Sequence, residues 1–261
     1  MSATVPGLSG VDWSRAWLAP WRERGEALAA RVVEVGLLEA LNEAAGEAAG
    51  EGAHPRVGPV RFVPHDALPA AEPYEAFIAR TAGVPTRSNL HDFFNALVWL
   101  GQPALKRRLN EMQVAELAIP RPPDTRGAVR DALTVFDENG AWLQAPTVLV
   151  DALRRRDWRA LFVSNRALWR DARLTLVGHA LMEKLTQPRK PITAHVWCVS
   201  VDAGDARHAD GIEGSALASL VAARFRAKPL LPMPVLGVPG WWADNETPGF
   251  YDDAAVFRAP Q

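Results

Sequence analysis

Twenty-one prolines punctuate a chain of 261 residues, and their placement restricts its fold more than any other feature. Proline fixes φ, lacks an amide hydrogen and pushes the preceding residue out of the helical region, so each one opens, ends or excludes a regular element. The run from Pro229 through Pro232, Pro234 and Pro239 therefore excludes an α-helix. It is read as an extended apolar ribbon wrapped over the core, with Trp241 and Trp242 at its end. Pro73 opens a helix to Thr81, Pro85 marks its stop, and Pro103 starts a helix to about Leu117. Pro120, Pro122 and Pro123 then form a stiff connection.

Between these marks, hydrophobic spacing supplies the rest. Residues 13–49 read as helices broken near Pro20 and Gly36, and the small-residue run 44–52 as an exposed linker. Val60-Arg61-Phe62-Val63 is a strand. Residues 90–100 form a helix that Ser88 or Asn89 can cap. Asn139-Gly140 between the apolar runs 133–136 and 141–143 predicts a β-hairpin. Helices are expected at 147–155, 158–169, 178–185 and 210–227, and a buried strand at 192–201. Strands this few and scattered exclude a regular βα alternation. The expectation is an α+β fold: one mostly helical domain over 1–261 with a small antiparallel β element and the Pro-rich C-terminal ribbon. Residues 1–50 pack on, or are appended to, a core at 58–258.

Composition removes whole classes of function. A net charge of −1 lacks the basic excess that drives general nucleic-acid binding. The single Cys198 excludes disulfide scaffolds and thiolate metal sites, and is read as a small buried hydrophobe. The first residues lack a basic segment followed by an apolar one, and the longest uncharged stretch, 229–243, is too short to span a bilayer. The expected location is the cytoplasm, away from membranes. Gly-x-Ser-x-Gly elbows, phosphate loops, dinucleotide fingerprints and kinase motifs are all missing. Four lysines (Lys106, Lys184, Lys190 and Lys228) stand against 25 arginines, a bias resembling a GC-rich bacterial genome, so a retained lysine carries extra weight.

Two segments concentrate polar groups. On the first, Leu90, Phe93, Phe94, Leu97 and Leu100 form the apolar stripe, which leaves His91, Asp92 and Asn95 on another face. A pocket wall is one reading; a helix-dipole interaction for Asp92 and a loop carbonyl for His91 is the other. On the second, His179 and Glu183 are four residues apart, which suits either metal ligation and proton transfer or a plain structural hydrogen bond. His-Glu-x-x-His is not completed. His195 lies on the strand 192–201, on the opposite face from Cys198, so the two make a poor nucleophile–base dyad. If His91, His179 and His195 converge beside Asp92 or Glu183, they form a nitrogen and oxygen site for a divalent metal. Asp137-Glu138-Asn139-Gly140 lacks the other ligands of a calcium loop and is read as a turn first and a carboxylate site second.

The segments 89–99, 130–140, 178–184, 193–195 and 234–241 together resemble the DUF3025 family, a bacterial family of unknown function. That resemblance implies no activity, cofactor or catalytic residue. It does mark His91, Asp92, Asn95, Asp137, His179, Glu183 and His195 as parts of the family's own signature segments. Two readings follow. The first is a metal-assisted or acid–base hydrolase acting on a small or phosphorylated ligand through His91, Asp92, Asn95, His179, Glu183 and His195, with Lys184 or Arg87 neutralising developing charge. The second is a non-enzymatic binding protein that uses Trp241, Trp242 and the proline ribbon as its recognition surface.

Overall fold

The computed structural model describes residues 4–50, 60–120, 122, 127–201, 212 and 217–259. Pro20 sits in a 3₁₀ segment, Ala16–Trp21, that feeds helix α1, Arg22–Val35. Gly36, at φ 92°, takes a backbone conformation that favours glycine and ends α1 before α2, Leu37–Gly50. The expected linker from residue 44 is instead the end of α2. Alanine and glutamate are strong helix formers, so the run continues the helix, with Ala45 buried and Gly46 and Glu47 exposed; residues 51 and 52 lie outside the described residues.

Strand β1, Arg61–Pro64, helix α3, Tyr74–Thr81, and strand β2, Gly83–Thr86, make a small parallel pair. Asn42 of α2 donates to the Phe62 carbonyl and accepts from its amide, fastening the N-terminal helices to β1. Trp13 meets Phe93 and Phe94 at ring separations of 6.3 and 6.1 Å, and residues from Val5 to Ala45 contribute to the main core. Helix α4, Leu90–Gly101, is capped by Asn89, whose side chain accepts from the Asp92 amide at 2.7 Å. It is followed by α5, Pro103–Leu117. Pro123 of the expected stiff connection lies outside the described residues.

The predicted hairpin at Asn139-Gly140 is not formed. Residues Ala128–Asn139 are helix α6, and strand β3, Gly140–Ala145, begins immediately after it. Val129, Leu133 and Phe136 recur at helical spacing and are all buried, which overrides the local turn signal. Gly140 has an extended φ of −78°, so it does not supply a turn. It supplies space: a Cβ there would stand 2.2 Å from the Phe136 carbonyl oxygen.

Helix α7, Thr147–Arg154, follows as expected. The helix expected at 158–169 is a π turn, Ala160–Ser164, and a 3₁₀ segment, Arg166–Asp171. Then come β4, Arg173–Leu176, α8, His179–Lys184, and β5, Thr193–Ser200. Of the helix expected at 210–227, the described residues include α9, Ala222–Arg226, which extended Val221 precedes; residues 210, 211 and 213–216 lie outside them. Strand β6, Leu231–Pro234, takes the place of the start of the extended ribbon, and 3₁₀ turns at Val235–Gly237, Ala243–Glu246 and Pro248–Asp252 replace the remainder. The backbone condenses into turns because Asn245 donates to the Leu236 and Val238 carbonyls, both at 2.7 Å.

The main sheet runs β4-β3-β5-β6, with β3 antiparallel to β4 but parallel to β5. It is a mixed sheet rather than the antiparallel element expected, because α7, β4 and α8 lie between β3 and β5 and return the chain in the same direction. Every residue of β3 is buried. Ala141 and Leu143 join the main core, whereas Trp142 stacks on Trp197 of β5 in a second apolar cluster with Phe136 and Phe225. Prolines 232 and 234 are tolerated because β6 is an edge strand.

One approach joins α6 to α8. The amides of Val177 and Gly178 both donate to the Gly140 carbonyl, at 3.0 and 2.8 Å. A Cβ on Gly178 would lie 2.3 Å from the Gly140 nitrogen and 2.6 Å from two backbone carbons of Asn139. These neighbours are backbone and have little freedom to give way, so Gly178→Ala is expected to cost about 3 kcal/mol of unfolding free energy in urea. A loss below about 0.5 kcal/mol, the level of an ordinary surface change, would show that the approach is not needed.

Candidate functional site

Three helix ends meet beneath that glycine contact. The first turn of α4 carries His91 and Asp92, the last turn of α6 carries Asp137 and Glu138, and α8 begins with His179. They border a cavity of about 380 Å³, whose inner wall comes from α3, α4 and α5. Its size falls in the range of small-molecule sites.

The two imidazoles face each other through their Nε2 atoms at 3.1 Å, with rings nearly perpendicular. Each Nδ1 turns toward a carboxylate. His91 Nδ1 is 3.0 Å from Glu183 Oε2, and His179 Nδ1 is 3.8 Å from Asp137 Oδ2. Glu138 Oε2 approaches His179 Nε2 at 3.7 Å. One ligand atom each from His91, Glu138 and His179 lies within 4.8 Å of the others. Lys106, buried on α5, donates to Asp137 at 2.5 Å and holds that carboxylate in place.

Burial governs the charges. It lowers His179 to a pKa of about 4, against the pull of Asp137, so the ring is neutral at pH 7 and its nitrogens are available as ligands. Burial would raise the Asp137 carboxyl, but Lys106, His179 and His91 outweigh it and leave the group below its ordinary value. Glu138 is raised by burial, with only partial relief from His91. Burial also raises the Tyr74 hydroxyl, which stays protonated as a donor or acceptor.

The six site residues read from the sequence separate into groups. His91, Asp92, Asn95 and His179 line the cavity, and Glu183 stands behind His91. Glu183 thus serves His91 rather than His179, despite its helical spacing from the latter. Asp92 accepts from the Arg87 amide at 2.6 Å and from Arg87 Nε and Nη2 at 3.1 and 3.2 Å, which fixes the turn before α4. Asn95 donates to the Tyr74 hydroxyl. His195 is absent from the cavity lining; it sits within the main sheet between Gly140 of β3 and Pro232 of β6. Lys184 donates to the Asn139 side chain at 2.7 Å, and Arg87 is held by Asp92. Trp241 packs on Trp17 at 6.3 Å, and the Trp242 indole donates to Asp244.

Glu138, Lys106 and Tyr74 were not among the residues singled out for the site. The helical spacing of Val129, Leu133 and Phe136 would have placed Asp137 and Glu138 at a helix end. The scarcity of lysine gave the same extra weight to Lys106, Lys184, Lys190 and Lys228.

A family model described as a protein of unknown function, DUF3025, matches residues 60–261. The chain belongs to the DUF3025 family. A search of curated proteins and a search of solved structures each find no match. The match begins at Val60, so every cavity-lining residue named above falls within the DUF3025 region. Cys198 also lies within it, on β5 and away from the cavity, with a thiol pushed up to about 12 by burial. Reaction with a disulfide reagent at pH 8 is therefore expected to be slower for the native chain than for the urea-unfolded chain. Equal rates would show that the thiol is neither buried nor suppressed.

Proposed function

We propose that the chain binds a divalent metal, best matched by zinc, through His91, His179 and Glu138, and uses it to hydrolyse a small molecule held in the cavity. The observation that carries this reading is the 3.1 Å separation of the two Nε2 atoms, with Glu183 bonded behind His91 Nδ1 and the Asp137 carboxylate 3.8 Å from His179 Nδ1. Two nitrogens bound at 2.0–2.1 Å in tetrahedral geometry lie about 3.3 Å apart, so both imidazoles are nearly in register for one ion. The Glu183 carboxylate behind Nδ1 selects the His91 tautomer whose Nε2 lone pair is free.

Two histidines and a glutamate are the ligand type of catalytic rather than structural zinc, since they leave a fourth position for water. A bound ion would lower the pKa of that water toward neutrality. The chain's own contribution is positioning: Lys106 fixes Asp137, Asp137 faces His179, and Glu183 orients His91.

Isothermal titration of the chelator-treated chain with zinc tests the metal site. One equivalent is expected to bind, and His91→Ala, His179→Ala and Glu138→Gln should each abolish or severely weaken it. Glu183→Gln should weaken binding about 10- to 100-fold, the usual effect of losing a group behind a ligand. His195→Ala should leave it unchanged. Failure of the wild-type chain to take up zinc, or undiminished uptake by His91→Ala and His179→Ala, would overturn the reading. Turnover requires a separate assay, for which the cavity itself suggests the substrate.

A further inference from the structure

One and two turns along α4 from His91, and on the neighbouring α5, the cavity is lined by three buried, uncharged polar side chains. Asn95, Trp99 and Gln113 are 8%, 3% and 5% exposed, and all three line the cavity. Asn95 Oδ1, Trp99 Nε1 and Gln113 Oε1 are buried without a hydrogen-bond partner. The indole nitrogens of Trp17, Trp142 and Trp197 are likewise buried and unpaired away from the cavity, so it is the meeting of three such atoms on one cavity that marks groups a ligand would complete. The amides are otherwise pinned, Asn95 to the Tyr74 hydroxyl at 3.1 Å and Gln113 to the Thr134 hydroxyl at 3.1 Å. Hydroxyls both donate and accept, so either orientation of each amide leaves one of its polar atoms unmet.

Charge narrows the ligand further. The cavity is lined by four carboxylates (Glu75, Asp92, Asp137 and Glu138) against two permanent cations, Arg87 and Lys106. Both cations are engaged, Arg87 by Asp92 and Lys106 by Asp137. Such a lining repels a phosphate or free carboxylate, and a divalent ion at the histidines would only neutralise it.

We infer that Asn95, Trp99 and Gln113 form a subsite for an uncharged carboxamide group. A primary amide carries two N–H donors and one carbonyl acceptor in a single plane. It can therefore donate one N–H to each of the free Asn95 and Gln113 side-chain oxygens and accept the indole N–H at its carbonyl. The inference deepens the hydrolase reading and rests on it for the reaction: water forms a C–O bond at the amide carbon, the C–N bond breaks, and a proton passes to the departing nitrogen. The products are a carboxylic acid and ammonia. Binding of the amide itself does not depend on the metal.

Four compounds that share one ring test the subsite: benzamide, benzoate, benzyl alcohol and phenyl phosphate. Each is titrated into the full-length, zinc-free chain and followed by saturation-transfer NMR and calorimetry. Benzamide is expected to bind most tightly. Gln113→Leu and Asn95→Leu should weaken it about tenfold, and Trp99→Phe, which keeps the ring and removes the N–H, by a smaller factor. Far-ultraviolet circular dichroism checks that each variant is folded, and undiminished zinc uptake by Gln113→Leu separates loss of this subsite from loss of the metal site. Tighter binding of benzoate or phenyl phosphate would overturn the inference. So would equal binding of benzyl alcohol, no binding of benzamide, or benzamide binding that Trp99→Phe and Gln113→Leu leave unchanged.

Discussion

The close approach of the Gly140 and Gly178 backbones is the contact on which the rest of the architecture depends. Each residue begins or precedes a new element: Gly140 turns α6 into β3, and Gly178 turns the chain from β4 into α8. Two amides converge on the Gly140 carbonyl, and side chains at either position would collide with backbone. Asp137 and Glu138 lie three and two residues before the first glycine, and His179 immediately follows the second. A contact made by backbone alone thus sets the spacing between the carboxylates and the imidazole. Backbone contacts of this kind are stiffer than any arrangement of long side chains.

The second determinant is the depth at which the histidines sit. An exposed imidazole is partly protonated near neutrality and competes poorly for a cation. Burial removes that competition for His179, and the neighbouring Asp137 cannot reverse it because Lys106 is bonded to the same carboxylate. Lys106 therefore has two effects: it stabilises Asp137 as an anion and prevents Asp137 from drawing a proton onto His179. Its ammonium also lies 5.5 Å over the Trp99 ring, which ties the charged end of the cavity to the uncharged wall.

Much of this was legible in the sequence where local pattern and tertiary packing agree. Helix α4 was readable because its apolar stripe, its cap at Asn89 and the following Pro103 point the same way. Helices α3, α5 and α7 and strand β5 were readable for similar reasons. The hairpin failed because Asn-Gly is a strong turn signal only when the flanking runs alternate, and Val129, Leu133 and Phe136 instead repeat as a helix. That one error made a carboxylate site at Glu138 the second reading, since a carboxylate in a surface turn has no reason to meet a histidine. Strand β1, equally short, was readable from Val60, Phe62 and Val63, whereas β2 and β6 carry internal prolines and β4 offers only Leu174 and Leu176. His195 attracted attention through its residue type, whereas position within the central sheet decides what it can reach.

The last turn of α6 is an unfavourable place for two acids. A helix C-terminus carries partial negative charge, so carboxylates there are repelled, and burial adds a desolvation cost. Asp137 is compensated by Lys106, but burial leaves the Glu138 carboxyl raised, facing His179 at 3.7 Å across the cluster. A sequence selected only for stability would place a neutral or basic residue at position 138. Local conflicts of this kind concentrate at functional sites, where the stabilising partner arrives from outside the fold. A divalent cation between Glu138, His91 and His179 would relieve the helix end, the buried carboxylate and the crowded Nε2 atoms together. A hydrogen bond between the imidazoles relieves only the last of these. The proposed metal site is thus favoured by three separate strains with one remedy.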